Sequence, residues 1–338
     1  MNMHKKRFLL PGFFLAGFAT AIGGLFLYHF LERSFLASDK TPPLQEKKAI
    51  YATGGGPVNL KISGMLIRVT PQIQLYVDSL HAQIFSVGKN PTVFLDDPTA
   101  YSVRIQEGNV RISGRTMEYI FNSVVFGKDQ NLVRNITIQF PETSQKKSIP
   151  IRIKGEMNMV VWIPFLLEGR IFFDKLSGFI VVEILNINTM GNPYAGNIME
   201  QFGMNIEVLM AKSTAKGIQF KKNRFFISPL ALLPPPSMEG KILQLATNAE
   251  ENSMSISFSS SGKSPQNRIK GKNFLSLSGG SSAFGNIRMS PADLLLLDAD
   301  PSDEFDFSLR DYRQALVKST SRIKDSGGVI VLFPDYSD

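Results

Sequence analysis

The side chains that most often do chemistry in proteins are nearly missing from this chain of 338 residues. It has no cysteine and three histidines, His4, His29 and His81. Without thiols there is no disulfide, thiolate zinc site, iron–sulfur cluster, cysteine nucleophile or lipidated cysteine. His4 sits in a basic leader and His29 in an apolar run, which leaves His81 alone to serve a soluble active site. No Gly-x-Ser-x-Gly elbow, phosphate loop or dinucleotide fingerprint occurs. A glycosidase needs only two converging carboxylates, and Glu168 and Asp174 lie near an apolar stretch, but that proximity is generic. The group Asp298, Asp300, Asp303, Glu304 and Asp306 carries the oxygen ligands that calcium takes, yet lacks the glycine and glutamate of a calcium loop. Capping of a helix beginning at Ser308 explains part of it. The expectation is a protein that is not an enzyme, with no catalytic residue, metal or cofactor.

What remains is apolar chemistry. Val160-Val161-Trp162-Ile163-Pro164-Phe165-Leu166-Leu167 has none of the alternation of a strand with one wet face, so it predicts a strand dry on both faces. Met117, Ile120, Phe121 and Val124 fall at i, i+3, i+4 and i+7 and predict one apolar face of a helix over 116–126. These four with Trp162 and Phe165 are the expected lining of an apolar groove. The chain holds 26 Phe and 13 Met against 8 Tyr and one Trp, a mixture that suits flexible acyl chains.

The flanking segments say where such a groove would work. Lys5, Lys6 and Arg7 precede an uncharged run from Phe8 to Phe30, which as a helix rises about 34 Å and can cross a hydrocarbon core of about 30 Å. The basic cluster places the N-terminus in the cytoplasm and exports the rest, to a bacterial periplasm. The run is long for the apolar part of a cleaved signal, and Phe35-Leu36-Ala37 is a poor cleavage site, so a retained signal-anchor is expected. The formal net charge of +8 is spread along the chain. Its basic pairs, Lys146-Lys147 and Lys221-Lys222, fall in expected turns, so no nucleic-acid partner is implied.

The resulting division is 1–7 basic leader, 8–30 transmembrane anchor, 31–57 linker, 58–258 main domain and 259–338 C-terminal α/β extension. Within it, Val103-Arg104-Ile105 and Val110-Arg111-Ile112 flank Glu107-Gly108-Asn109, a hairpin signal. Strands are expected over 132–140, 149–157, 160–173 and 178–188. A second helical pattern runs through Ala195, Ile198, Met199, Phe202 and Ile206, and a hairpin over 217–227 follows. Residues 238–261 predict two strands. The end of the chain predicts strands near 273–278 and 283–298, a helix over 308–318 and a strand over 329–333. Leu294–Leu297 is ambiguous, because Ser290-Pro291-Ala292-Asp293 also reads as a helix start. The fold class expected is α+β: a long, mostly antiparallel sheet wrapped around or covered by a few helices.

The order of the elements carries a resemblance. The helix Gly114-Arg115-Thr116-Met117-Glu118-Tyr119-Ile120-Phe121-Asn122 precedes several strands. The strand Trp162-Ile163-Pro164-Phe165 ends at Glu168-Gly169, and a second helix leads to Ile227-Ser228-Pro229. Over about 58–258 this resembles bacterial envelope proteins of the LmeA-like lipid-binding family, relatives of the tubular lipid-binding (TULIP) proteins. The resemblance implies an antiparallel sheet wrapped around a helix, with a groove for phospholipid acyl chains. The stretch 272–338 looks like an addition to that pattern. The function expected is a membrane-anchored exported protein that binds or hands on a lipid-like ligand during envelope biogenesis or maintenance. The alternative is a structural or interaction protein of the envelope with a packed core.

Overall fold

The computed structural model describes residues 56–126, 133–143, 148–158, 161–189, 217–233, 235–261, 273–284 and 287–335. The expected anchor Phe8–Phe30 and the helical pattern through Ala195–Ile206 lie outside these residues. No helix among the described residues is long and apolar enough to cross a membrane. Residues Ala49–Asp338 form one compact unit.

In chain order the unit opens with β1 (Val58–Arg68), β2 (Gln74–Ser86), β3 (Val93–Phe94) and β4 (Tyr101–Ser113). The helix α1 (Gly114–Tyr119) continues as a π-helical turn over Ile120–Val125. Then come β5 (Val133–Gln139), β6 (Ile149–Asn158), β7 (Trp162–Asp174), β8 (Phe179–Asn188), β9 (Ile218–Lys221) and β10 (Arg224–Ile227). A short helix α2 (Pro229–Leu232) leads to β11 (Ser237–Gly240), β12 (Ile242–Asn248), β13 (Ser253–Ser259) and β14 (Phe274–Gly279). The chain closes with β15 (Ser282–Phe284), β16 (Ile287–Met289), β17 (Ala292–Asp298), β18 (Phe305–Ser308), α3 (Tyr312–Lys318), β19 (Thr320–Ile323) and β20 (Val329–Phe333).

This corrects the α+β expectation: the described protein is mostly β, with three short α-helices. The physical reason is that short segments without a strong strand pattern are held as strands by their partners, distant in the chain for β18 and local for β19. Phe305–Ser308 pairs in parallel with Met65–Arg68 of β1, and Thr320–Ile323 pairs with β20. The ambiguous Leu294–Leu297 lies in β17, between β14 and β20, with Ala292, Leu294, Leu296 and Asp298 turned inward. The first sheet runs β12-β13-β4-β2-β1-β14-β17-β20-β19, with β11 beside β4 and β18 beside β1. The second runs β5-β6-β7-β8-β10-β9 and is antiparallel throughout. A small sheet joins β16, β15 and β3.

Because β14 and β18 both pair with β1, the stretch 259–338 completes the sheet that β1 begins. Phe305, Phe307 and Phe333 form an aromatic cluster there, with the rings of Phe307 and Phe333 centred 5.3 Å apart.

Glu107-Gly108-Asn109 is not a turn. β4 runs straight through it, and its register against β2 slips between Val77 and Ser79 and again between His81 and Ala82. Such bulges insert an unpaired residue and reverse which side chains face inward. On β2 the buried set accordingly changes from Leu75 and Val77 to Ala82 and Ile84. On β1 the same change, from Ile62 to Met65, falls at Gly64, whose φ is +61°. Gly108 is needed for close approach: a Cβ there would lie 2.7 Å from the Ser79 carbonyl oxygen and 2.8 Å from Leu80 Cδ1. Gly108→Ala is expected to lower unfolding stability by about 1–3 kcal/mol through overpacking, read as a lower urea midpoint with an unchanged slope.

Candidate functional site

The expected helix over 116–126 is α-helical only to Tyr119 and π-helical over Ile120–Val125, and its polar face does much structural work. Ser113 caps α1, its Oγ accepting from Thr116 N at 3.1 Å. Met117 and Ile120 are buried in the main core, and Phe121 is half-buried against it. Val124 lies in the π-helical turn, and its side chain is outside the described residues.

On the other face, Asn122 treats Ile136 of β5 as a neighbouring strand would. Its Oδ1 accepts from Ile136 N and its Nδ2 donates to Ile136 O, both at 2.8 Å. Glu118 Oε1 accepts from Ile138 N at 2.8 Å. Asn252, in the turn between β12 and β13 with φ +45°, donates from Nδ2 to Ile138 O at 2.8 Å and accepts from Phe140 N at 3.0 Å. Three side chains thus occupy successive backbone groups along the outer edge of β5. Sequence reasoning missed them; the available signal was the i, i+4 spacing of Glu118 and Asn122 opposite the apolar stripe.

The strand β7 departs from the expectation of two dry faces. Ile163, Phe165 and Leu167 turn to the core, with Phe165 and Leu167 buried, whereas Pro164 is exposed and Val161 retains 64% of its accessible surface. Trp162 and Leu166 on the outer face are half-buried. Arginine side chains shield this face in place of a second layer. The Arg134 guanidinium stacks 3.9 Å from the Trp162 ring centre, and the ion pairs Arg134–Glu156, Arg152–Glu168, Arg170–Glu183 and Arg224–Glu183 cross the sheet. Long arginine stems cover apolar rings while their heads stay wet.

The carboxylates near this strand are engaged in ion pairs and turn contacts. Glu168 pairs with Arg152. Asp174 holds the turn after β7, and its bonds from Ser177 and from the Leu176 backbone keep its carboxyl below the usual range. Hydrogen bonds from Arg224 and Arg170 likewise hold the Glu183 carboxyl low.

Trp162 and Phe165 consequently lie on opposite faces and cannot line one groove. Phe165 sits over Gly155 of β6, where a Cβ would come within 2.7 Å of its ring. The inner face of the second sheet is an apolar wall that includes Ile153, Phe165, Leu167, Ile171, Val182 and Phe225, all buried. β12 of the first sheet packs against β7. The surface cleft at Pro141–Thr143 and Thr247–Glu250, about 750 Å³, has a mixed polar and apolar lining that includes Glu142 and Glu250.

The acidic group is partly assembled. Asp298 and Asp303 meet Asp335, which the sequence did not single out, with one carboxylate oxygen of each within 4.8 Å of the others. Three such oxygens are the kind of ligand a hard cation takes. Asp306 instead pairs with Arg68 at 2.6 Å, and Asp300 closes its own turn onto Ser302. Ser308 ends β18 and its Oγ accepts from Asp311 N; Asp311 is the residue that precedes α3. Burial pushes the Asp298 carboxyl up, against bonds from Asn273 and the Asp300 backbone. Burial also raises Asp335, reinforced by the charges of Asp298, Asp303 and Asp306.

Two outcomes are expected. Asn122→Ala strands Ile136 N and O and is expected to cost about 2 kcal/mol or more, with amide exchange accelerated first at Ile136 and Ile138. A carboxyl raised in the folded state binds its proton more tightly than in the unfolded chain, so stability falls as pH rises from the ordinary Asp value towards the raised one. Asp335→Asn keeps an acceptor for Asp306 N and removes the charge. It is expected to melt above the parent at neutral pH, with the gain vanishing below the ordinary value of 3.8.

No protein family, curated protein or solved structure matches this chain.

Proposed function

We propose that this chain is a membrane-tethered, exported protein that binds or hands on a lipid-like ligand, as the LmeA-like and tubular lipid-binding resemblance implies. The observation that carries the reading is the inner wall of the second sheet. Across β6, β7, β8 and β10 its inward side chains are Ile, Leu, Val, Phe and Met, interrupted only by Gly155 and Gly169. An acyl chain needs no polar code, since burial alone contributes about 25 cal/mol per Å². Most of the wall side chains are buried, with Ile163, Phe173 and Ile187 half-buried at its ends, so in this reading the ligand shares the core with protein side chains. The lining proposed from sequence is revised accordingly: Met117, Ile120 and Phe165 stay with this core, whereas Trp162 belongs to the outer face.

A second reading, a structural or interaction protein of the envelope with a filled core, is favoured by the seating of Phe165 over Gly155. There the ring occupies space that a ligand would use.

Leu167→Trp separates the two in the compact unit Ala49–Asp338 expressed alone. If lipid fills space beside β7, native mass spectrometry finds phospholipid or fatty acid on the parent. The variant then loses that lipid with little change in stability. If the core is filled by side chains, the parent mass is bare and the added ring costs about 1–3 kcal/mol. A bare parent mass with no uptake of added lipid overturns the lipid reading.

A further inference from the structure

Among the large apolar side chains described, Leu176 is the most exposed, retaining 99% of its accessible surface. It stands at the tip of the turn joining β7 to β8, Lys175-Leu176-Ser177-Gly178, and the whole turn is exposed. The turn is tightly built. Asp174 Oδ1 accepts from Leu176 N at 3.1 Å, Asp174 Oδ2 accepts from Ser177 Oγ at 2.6 Å, and Gly178 N donates to Asp174 O at 2.8 Å. Gly178 takes φ +75°, the left-handed region that glycine enters without strain. The leucine is therefore presented to solvent by a fixed turn.

The same end of the sheet carries more apolar surface. Phe179 follows the turn and meets Phe226 edge-on, ring centres 6.3 Å apart. β10 leaves the sheet at Ile227, opposite Ile180, and passes into α2, whose Leu230 and Leu232 are half-buried. Lys175 supplies a cation at the tip, while Asp174 spends its charge on the turn's own donors.

We infer that this end of the second sheet docks on an anionic phospholipid surface, with Leu176 inserted at the headgroup boundary and Lys175 beside a phosphate. The inference rests on the tethered reading above. It commits to a bilayer because residues 8–30 predict an anchor and 31–57 a linker with a reach of at most about 90 Å. One inserted leucine and one lysine bind a membrane too weakly to hold a free protein. A tether removes that requirement by keeping the tip at high effective concentration beside the surface. Docking would also point one end of the apolar wall at the lipid source.

The test uses the full chain, which has no cysteine of its own. Ser177→Cys is labelled with an environment-sensitive fluorophore and the chain is reconstituted into vesicles of mixed zwitterionic and anionic phospholipid. Val317→Cys, on α3 of the first sheet and 87% exposed, is the reference position. Docking predicts a blue-shifted label at 177, about tenfold better protected from an aqueous quencher than at 317, and loss of that protection when Leu176→Asp is added. A label at 177 that remains as accessible as at 317 overturns the inference, as does equal protection at both positions. Failure of the chain to float with the vesicles overturns the anchor and the docking together. Lipid found on the compact unit while the 177 label stays wet sinks the docking and leaves the ligand reading standing.

Discussion

The edge of β5 is the constraint on which the arrangement of the two sheets turns. An edge strand offers a row of unpaired backbone donors and acceptors, and a buried row left unpaired is costly. Here Glu118 and Asn122 from the helix and Asn252 from a turn of the first sheet answer Ile136, Ile138 and Phe140 in succession. The same Asn252 accepts from Gly114 N through its own carbonyl at 2.7 Å, so the start of the helix is fixed to the same turn. A Cβ on Gly114 would collide with the Asn252 side chain, which explains a glycine at the first position of a helix. Two sheets, a helix and a turn therefore share one joint made of side-chain hydrogen bonds. The apolar face of the helix is directed into the core because its polar face is committed to β5.

Seen from that joint, the limits of the sequence are physical. Strands with a strong pattern of their own were legible: β6 by its alternation, β8 and β20 by their β-branched apolar runs. So was the apolar helix, although not its π-helical second half. Gly108 misled because a glycine admitted for close approach looks in sequence like one admitted for a turn. The unbroken apolar run of β7 misled because arginines on neighbouring strands can shield a wet face, and their positions are set by register. Phe305–Ser308 and Thr320–Ile323 were illegible as strands because each is four residues long and its partner supplies the pairing. Asp335 could not have been grouped with Asp298 and Asp303 by spacing; only the parallel pairing of β17 with β20 carries the end of the chain back to them.

The same register decides what the apolar residues can do together. Trp162 and Phe165 are three apart in a strand, and odd separations place side chains on opposite faces. The outer face becomes a lattice of Arg–Glu pairs with rings lying under the guanidinium groups, and the inner face an uncharged wall. That separation of chemistry is sharper than burial alone demands. Exposed ion pairs add little stability, so the outer lattice keeps the edges and outer face of the second sheet soluble more than it holds the sheet together. The cohesion comes from the apolar inner wall, whose side chains belong to the main core.

A ligand in such a core is subject to a simple constraint. Protein interiors are packed nearly as densely as organic crystals, and a void large enough for an acyl chain would forfeit the dispersion contacts of every side chain around it. A lipid-handling sheet must therefore either carry a ligand permanently or close on itself when empty. Phe165 over Gly155 is the kind of contact that closure requires, because the large ring and the missing side chain together fill the space between neighbouring strands. An aromatic side chain lifted from a glycine opens space without breaking a single strand pairing. The contact that favours a filled core is thus also the one whose loosening would admit a chain, and the two readings differ in which state of Phe165 the folded protein prefers.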